Sequence, residues 1–295
     1  ALPQPFYTDL DFFNLDMELI WYRDWLFAGH NCELPKTGSC FTLQIGSYPV
    51  VVLRDKEGEI RAFHNSCRHR GSRICAQEKG TTPKLVCPYH QWTYNLDGKL
   101  AFARQMGADF DPNEHALKPV ACETAGGYIF INLAVEPVDF APFRALMAPY
   151  FTPHNLVDAK VAHESTIIEK GNWKLVWENN RECYHCDVGH PELISVLGTT
   201  GFGKDAPADD YLETKRAEWQ ALGIDRDLIE FPDGWWHRVA RLALANGAVT
   251  QSIDGKLACQ KLIGPFTQPE TSSLSVWTHP NSWHHFCCDH VVTFS

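Results

Sequence analysis

The chain of 295 residues is long enough for about two domains, and its 44% hydrophobic and 21% charged residues are typical of a globular protein. A formal net charge of −10 argues against nucleic acid or an anionic membrane as a partner, because both favour basic surfaces. No apolar run reaches the roughly 18–20 residues of a transmembrane helix, and no signal-peptide pattern opens the chain.

The first part of the chain is predicted to be one helix followed by short strands. Apolar residues recur at helical spacing over residues 9–26, with acidic residues early in that segment. From about residue 38 the pattern changes to strands and turns. The strands are predicted in SCFTLQIG, YPVVVLRD, IRAFHN and GGYIFINL, and Asp97-Gly98 is typical of a hairpin turn.

The second part of the chain is predicted to begin near residue 136, where PVDFAPFRALMAPYF is helical and punctuated by proline. Beyond it the patterns predict a strand in HESTIIEKG, a helix from Asn172 and an irregular acidic stretch over 198–234. TQSIDGKLACQKLIG is typical of a hairpin about Asp254-Gly255, and residues 273–295 of two further strands. Because HVVTFS is strand-like up to Ser295, we expect the domain to continue past this residue.

Eleven cysteines are many for a chain of this length, but their odd number and the size of the chain argue against a disulfide framework. We therefore expect reduced cysteines in a cytoplasmic protein, some of them metal ligands.

The first metal pattern consists of two tight loops, NSCRHRG and CPYHQW, with one cysteine and one histidine each. The four residues are Cys67, His69, Cys87 and His90. This set is compatible with structural zinc or with a Rieske [2Fe–2S] cluster, in which histidines replace the cysteines on one iron. The mixed composition of each loop favours the cluster, because zinc fingers usually pair cysteine with cysteine and histidine with histidine.

The second pattern is RECYHCDVGHPEL, residues 181–193. Glu182 and His185 are predicted to lie on adjacent faces of the helix that starts at Asn172, with His190 about 140° away from His185. Gly189 and Pro191 are therefore predicted to break the helix and bring His190 back.

Cys183 and Cys186 lie in the same stretch and would, by themselves, indicate a redox dithiol or half of a zinc site. They fall near the predicted C-terminus of the helix, where a thiolate is disfavoured. We interpret them as bystanders.

The two patterns resemble segments of the Rieske non-haem iron oxygenases. CRHRG followed by CPYHQWTYNLDGKL is similar to their cluster-binding segment, with Gln91 where most members carry glycine. EKGNWKLVWENNRECYHC and the spacing to His190 are similar to the segment that holds a mononuclear iron by two histidines and one carboxylate.

The resemblance implies an α+β fold. An N-terminal helical segment at 1–37 is expected to pack on the catalytic domain, and an all-β Rieske domain to span 38–135. The catalytic domain at 136–295 is expected to be a helix-grip-like antiparallel sheet that is incomplete at its C-terminus.

The resemblance also implies roles for individual residues. Cys67, His69, Cys87 and His90 would bind the cluster, and His185 and His190 would bind iron(II). Glu182 would carry electrons between the cluster and the iron of neighbouring subunits in a ring, commonly a homotrimer. The third iron ligand is expected beyond Ser295, with Asp289 as the nearest candidate within the chain.

The partners implied are dioxygen, a small quaternary ammonium substrate and a separate flavin and iron–sulfur reductase that supplies electrons from NADH. GTTGFGKD, at 198–205, lacks the spacing of a nucleotide-binding loop, which agrees with a separate reductase.

The substrate class is suggested by CPYHQWTY and WTHPNSWHHF, which most resemble the branch acting on glycine betaine, proline betaine, carnitine or choline. For a betaine, the implied reaction hydroxylates an N-methyl carbon and releases formaldehyde. A quaternary ammonium group binds to aromatic faces. Candidates are Trp235, Trp236, Trp277, Trp283 and Phe286, although any one of them alone is more often a core residue. An aromatic-ring dioxygenase and a non-enzymatic iron–sulfur carrier or zinc protein stay open as alternatives.

Overall fold

The computed structural model describes residues 2–182, 184–197, 209–224, 229–230 and 238–295. The chain forms two compact units. We call Phe13–Arg144 with Leu156–Ser165 the N-terminal unit, and Ala1–Phe12, Ala145–Asn155 and Thr166–Ser295 the C-terminal unit. No helix in the described part of the chain has both the length and the apolar character needed to cross a membrane.

The N-terminal unit is built from antiparallel strands. They are β1 Leu26–His30, β2 Ser39–Ile45, β3 Tyr48–Arg54, β4 Ile60–His64, β5 Lys79–Thr81, β6 Leu85–Val86, β7 Thr93–Tyr94, β8 Leu100–Phe102, β9 Pro119–Ala125 and β10 Tyr128–Asn132. One sheet has the order β1-β10-β9-β4-β3-β2-β5, and a smaller sheet has the order β6-β7-β8.

Strand β3 separates two hydrophobic cores of this unit. Val50 and Val52 contribute to a core on one face of the strand, whereas Val51 and Leu53 contribute to a core on the other face. All four residues are fully buried, as expected where alternate side chains of a strand both meet apolar partners. The second core also contains the cysteines of both predicted ligand loops, so each loop packs on this core through its cysteine.

The helices are α1 Pro5–Thr8, α2 Leu10–Asp16, α3 Ala141–Phe151, α4 Trp173–Arg181, α5 Cys186–Gly189, α6 Pro191–Leu197 and α7 Asp209–Ala221. A short π-helical turn, Met17–Trp21, continues α2, and 3-10 turns lie at Asn31–Glu33, Pro112–His115, Thr152–His154 and Leu156–Asp158.

The C-terminal unit contains an antiparallel sheet. Its strands are β11 Ile229–Glu230, β12 Arg238–Ala243, β13 Ser272–Thr278, β14 Ser282–Phe286 and β15 Val291–Phe294, in this order across the sheet. Helix α7 is tied to it where the indole N–H of Trp219 donates to the buried carboxylate of Glu270 at 2.9 Å. The guanidinium of Arg241 lies 6.0 Å above the ring of Trp219 and donates to Ser272 at 3.0 Å.

Two elements before α4 differ from the sequence-based predictions. The predicted helix over 9–26 ends at Trp21, and Leu26 starts β1 instead, because it pairs with Ile131 of β10. No strand forms in HESTIIEKG, where Ile167 and Ile168 are 81% and 86% exposed.

Three predictions nearer the C-terminus were also wrong. Helix α7 occupies part of the stretch 198–234 that was predicted to be irregular, and much of the rest of that stretch lies outside the described residues. The predicted hairpin about Gly255 is a turn without strands. Residues 273–295 contribute to three strands, because β14 pairs with both β13 and β15.

Gly98 provides a test of the packing in the N-terminal unit. It lies in the turn before β8 with φ +85°, and a Cβ there would meet the ring of Phe63 at 2.4 Å. Gly58 has a similar φ of +90° and nothing within 4 Å. We expect Gly98→Ala to lower the free energy of unfolding by about 2–4 kcal/mol, and Gly58→Ala by about 1–2 kcal/mol, since only the first adds overpacking to backbone strain. Urea unfolding of both variants measures the difference, and equal losses would contradict it.

Candidate metal centres

The two predicted ligand loops of the N-terminal unit share one backbone geometry. The N–H of Gly71 donates to the carbonyl of Cys67 at 2.8 Å, and the N–H of Gln91 donates to the carbonyl of Cys87 at 3.0 Å. Each cysteine N–H donates in turn to the carbonyl five positions along, at 2.9 and 2.8 Å. The loops are therefore near-replicas that each start at a cysteine.

The fifth residue of each loop has a left-handed backbone, with φ 71° at Gly71 and 62° at Gln91. Glycine adopts this conformation freely, whereas other L-residues pay about 1–2 kcal/mol. Glycine therefore suits the position of Gln91. With glutamine there, the loop still closes through the hydrogen bond from its N–H to Cys87.

The side chains of the two loops converge. Cys67 and Cys87 are buried in the same hydrophobic core, and Cys87 is close enough to raise the pKa of the Cys67 thiol. The ring centroids of His69 and His90 are 4.7 Å apart. Trp92 stacks on His69 at 4.9 Å with an interplanar angle of 9°, which holds the imidazole in place.

These four side chains fit a [2Fe–2S] cluster. Nδ1 of His90 is buried and has no hydrogen-bond partner within the described ranges, although buried polar atoms are nearly always paired. Burial, with the neighbouring Cys87, raises the pKa of the Cys67 thiol. Two adjacent buried thiols become favourable as thiolates once a metal supplies the compensating charge.

Tyr94 is a further residue of this centre that the sequence patterns did not single out. Its hydroxyl lies 3.3 Å from Sγ of Cys67 and accepts the N–H of Arg68 at 3.0 Å. Hydrogen bonds to ligand sulfur tune the reduction potential of iron–sulfur clusters. From the sequence alone, an aromatic residue in a short strand is expected to be a core residue. The contact of Tyr94 with Cys67 is visible only in the folded structure.

The second pattern lies at the end of α4 in the C-terminal unit. Asn172 caps this helix, as predicted, and its side chain accepts the N–H of Lys174 at 3.0 Å. The helix ends at Arg181, and Glu182 is extended with φ −125° and ψ 155°. The prediction that Glu182 and His185 share one helix was therefore wrong.

The chain then turns twice, which brings two imidazoles together. His190 lies between α5 and α6 with φ −150° and ψ 69°, so the predicted break at Gly189 and Pro191 is confirmed. The ring centroids of His185 and His190 are 5.0 Å apart. In the described part of the chain, the potential ligand atoms of His185, Cys186 and His190 lie within 4.8 Å of one another.

Cys186 belongs to this group by position only. It is disulfide-bonded, so its sulfur is not a thiolate ligand, and the prediction of reduced cysteines was wrong for this residue. Cys183 lies outside the described residues. The donors that fit an iron ion are the two imidazoles, as in a two-histidine, one-carboxylate site.

Glu182 contacts the first of these imidazoles directly. Its Oε1 lies 2.8 Å from Nδ1 of His185, and its Oε2 accepts the N–H of Tyr184 at 2.6 Å. The bond with His185, followed by that with Tyr184, lowers the pKa of Glu182 below its usual value, so the carboxylate is ionised at neutral pH. A carboxylate on Nδ1 holds the proton there and leaves Nε2 for a metal.

Asp289 has a structural role. Its Oδ1 accepts the hydroxyl of Thr250 at 2.9 Å, and its Oδ2 accepts the N–H groups of Ala258 and Cys259 at 2.7 and 3.0 Å. It is absent from the group that His185 and His190 form among the described residues. These hydrogen bonds occupy both carboxylate oxygens of Asp289.

The late aromatic residues lie on opposite faces of the C-terminal sheet. Trp277 pairs with Trp283, and its indole N–H donates to Asn180 of α4 at 2.5 Å. Phe286 faces the other way, is buried and stacks with Phe151 at 5.8 Å, so it lies in the core and not beside the two tryptophans. Trp235 and Trp236 lie outside the described residues.

Comparisons with known proteins identify the families that both parts of the chain match. The family model of the Rieske [2Fe–2S] domain matches residues 24–120, and that of the ring hydroxylating alpha subunit catalytic domain matches residues 156–295. The glycine betaine monooxygenase oxygenase subunit of Pseudomonas aeruginosa is 47% identical over 300 residues, covering 100% of this chain and 70% of that protein. The carnitine monooxygenase oxygenase subunit of Escherichia coli is 32% identical over 74% of this chain and 57% of its own.

The fold is found in solved structures as well. A crystal structure of the quaternary ammonium Rieske monooxygenase CntA with an inhibitor has a TM-score of 0.74 at 21% identity, covering 99% of this chain and 70% of that one. The expected fold class, α+β with a Rieske domain followed by an antiparallel-sheet catalytic domain, is confirmed. The chain belongs to the Rieske non-haem iron oxygenases, as an oxygenase alpha subunit.

Proposed function

We propose that this chain is the terminal oxygenase of a glycine betaine monooxygenase, which removes one N-methyl group of the substrate as formaldehyde. The observation that carries the proposal is the 47% identity to the Pseudomonas aeruginosa protein, which extends along the whole of this chain. Carnitine is the second candidate, supported by the more distant Escherichia coli relative.

Oxygenases of this family hold a [2Fe–2S] cluster and a mononuclear iron, and they receive electrons from NADH through a separate reductase. In this chain the proposed cluster ligands are Cys67, His69, Cys87 and His90, and the proposed iron ligands are His185 and His190. When bound, the two groups supply single electrons and the activation of dioxygen.

The overall reaction balances with the named reactants. Glycine betaine, dioxygen, NADH and one proton give dimethylglycine, formaldehyde, water and NAD⁺. One oxygen atom enters an N-methyl C–H bond and the other leaves as water. The resulting hemiaminal loses formaldehyde when its C–N bond breaks.

The chain's own residues position the reactants. Glu182 holds the proton of His185 on Nδ1 and so directs Nε2 towards the iron position. The faces of Trp277 and Trp283 suit a trimethylammonium group, which cannot donate hydrogen bonds. About half of the Glu182 side chain is exposed, which leaves it accessible to a neighbouring subunit.

We further propose a homotrimer in the cytoplasm, in which Glu182 links the iron of one subunit to the cluster of the next. The mass of the intact protein in solution tests the trimer, and a monomeric mass would contradict it.

The substrate is tested with the intact protein that contains this chain, together with a surrogate reductase and NADH. We expect formaldehyde from glycine betaine, with a lower kcat/KM for carnitine and no product from a simple arene. Formaldehyde from carnitine alone would favour the second candidate, and a ring diol without formaldehyde would contradict N-demethylation.

The cluster ligands are tested by Cys87→Ser. A hydroxyl is a poor substitute for a thiolate on iron, so we expect the visible absorption of the cluster and its iron to be lost. Cys122→Ser, which changes a cysteine of β9 outside both loops, is the matched control and should keep its colour. Undiminished absorption in the Cys87 variant would refute the assignment.

The role of Glu182 is tested by Glu182→Gln. We expect both metal centres to remain and turnover to fall by about 10- to 100-fold, because the charged partner of His185 is lost. Reoxidation of the reduced cluster in the presence of substrate should slow equally. Glu192→Gln, an exposed acid in α6, is the control; turnover at the wild-type rate in both variants would mean that Glu182 is an ordinary surface acid.

A further inference from the structure

One face of the C-terminal sheet carries a polar pair next to its tryptophans. We call it the tryptophan face. Trp277 pairs with Trp283 across β13 and β14, and Ser275 pairs with His285 in the same register. Since alternate residues of a strand point to one side, both pairs lie on this face, about 6.8 Å apart along the strands.

Ser275 and His285 form a hydrogen-bonded pair in the middle of the sheet. Ser275 is buried, and its Oγ lies 2.9 Å from Nδ1 of His285. No described residue makes a hydrogen bond with Nε2 of His285. The ring of Phe294 meets the imidazole edge-on at 5.9 Å and stacks on Trp283 at 5.1 Å. The polar pair is thus bordered by aromatic rings.

The imidazole of His285 is neutral at neutral pH. Burial lowers its pKa to about 4, and no carboxylate compensates for that loss of solvent. A neutral imidazole carries one proton, on Nδ1 or on Nε2. If the serine hydroxyl donates to Nδ1, the proton is on Nε2 and is available to a ligand.

The tryptophan face contacts helix α4, which precedes the candidate iron ligands in the chain. Trp277 donates its indole N–H to Asn180, which precedes Glu182 by two residues. Trp177, also on α4, has its ring 6.4 Å from that of Trp283. The end of α4, where the chain turns towards His185, therefore lies over this face.

A betaine has the chemistry that such a face can bind. Its positive nitrogen and its carboxylate carbon are two bonds apart, about 2.5 Å. With the nitrogen within about 6 Å of an aromatic centroid, the carboxylate comes within reach of a donor one row away. A neutral donor is compatible with a zwitterion, because it can bind the carboxylate without adding a charge near the ammonium group.

We propose that Ser275 orients His285 so that its Nε2–H donates a hydrogen bond to the substrate carboxylate, while Trp277 and Trp283 contact the trimethylammonium group. The inference rests on the proposed function and deepens it, since it names the residues that distinguish a betaine from an ammonium compound without a carboxylate. His285 binds substrate, and Ser275 is a positioning residue.

The test compares glycine betaine with tetramethylammonium, which has no carboxylate, in the intact holoenzyme. For His285→Phe we expect the KM for glycine betaine to rise by about 10- to 100-fold. The inhibition constant of tetramethylammonium should change less than about threefold, because the aromatic contacts remain. His285→Gln, which keeps an N–H donor, should recover part of the affinity, and Ser275→Ala should show a smaller rise in KM.

His290→Phe is the matched control, because His290 belongs to the same sheet region but contacts Asp289 and Thr250. Its KM should be that of the wild type. An unchanged KM in His285→Phe, or an equal loss of betaine and tetramethylammonium binding, would overturn the inference. A wild-type enzyme that neither binds nor demethylates glycine betaine would instead reject the proposed function.

Discussion

The contact between the carboxylate of Glu182 and the imidazole of His185 is the interaction on which the candidate iron site of the C-terminal unit depends. Helix α4 ends at Arg181, and from the extended residue that follows it the carboxylate of Glu182 reaches Nδ1 of His185 at 2.8 Å. The ionised carboxylate fixes the proton of His185, and the second turn at His190 then places another imidazole beside it.

The N-terminal unit achieves a similar convergence by repetition instead of by ending a helix. Two loops with the same hydrogen bonds each present a buried thiol, and the left-handed residue at position five closes each loop. Both cysteines pack against the core on one side of β3, whose residues Val51 and Leu53 are fully buried. Because this core is closely packed, it limits how far the ligand side chains of the two loops can move.

Strand alternation decides which side chains each face of the C-terminal sheet presents. Trp277 and Trp283 lie on one face with the Ser275–His285 pair, whereas Phe286 lies on the other face against Phe151. A shift of one residue in register would exchange these faces and place the apolar core side where the substrate is proposed to bind. The short hairpin between β13 and β14 sets this register and, with it, the side chains that each face presents.

The sequence by itself determined the features that depend on local chemistry. These are the cysteine and histidine loops, the cap at Asn172, the break before Pro191, and the strands in which apolar side chains alternate. Only the tertiary structure decided that Leu26 belongs to β1 and not to the helix, that HESTIIEKG forms no strand, and that Asp289 accepts hydrogen bonds from backbone N–H groups. The contacts of Tyr94 with Cys67 and of Ser275 with His285 belong to the same class. Each of these outcomes depends on residues far apart in the chain, whose pairing and burial no local pattern contains.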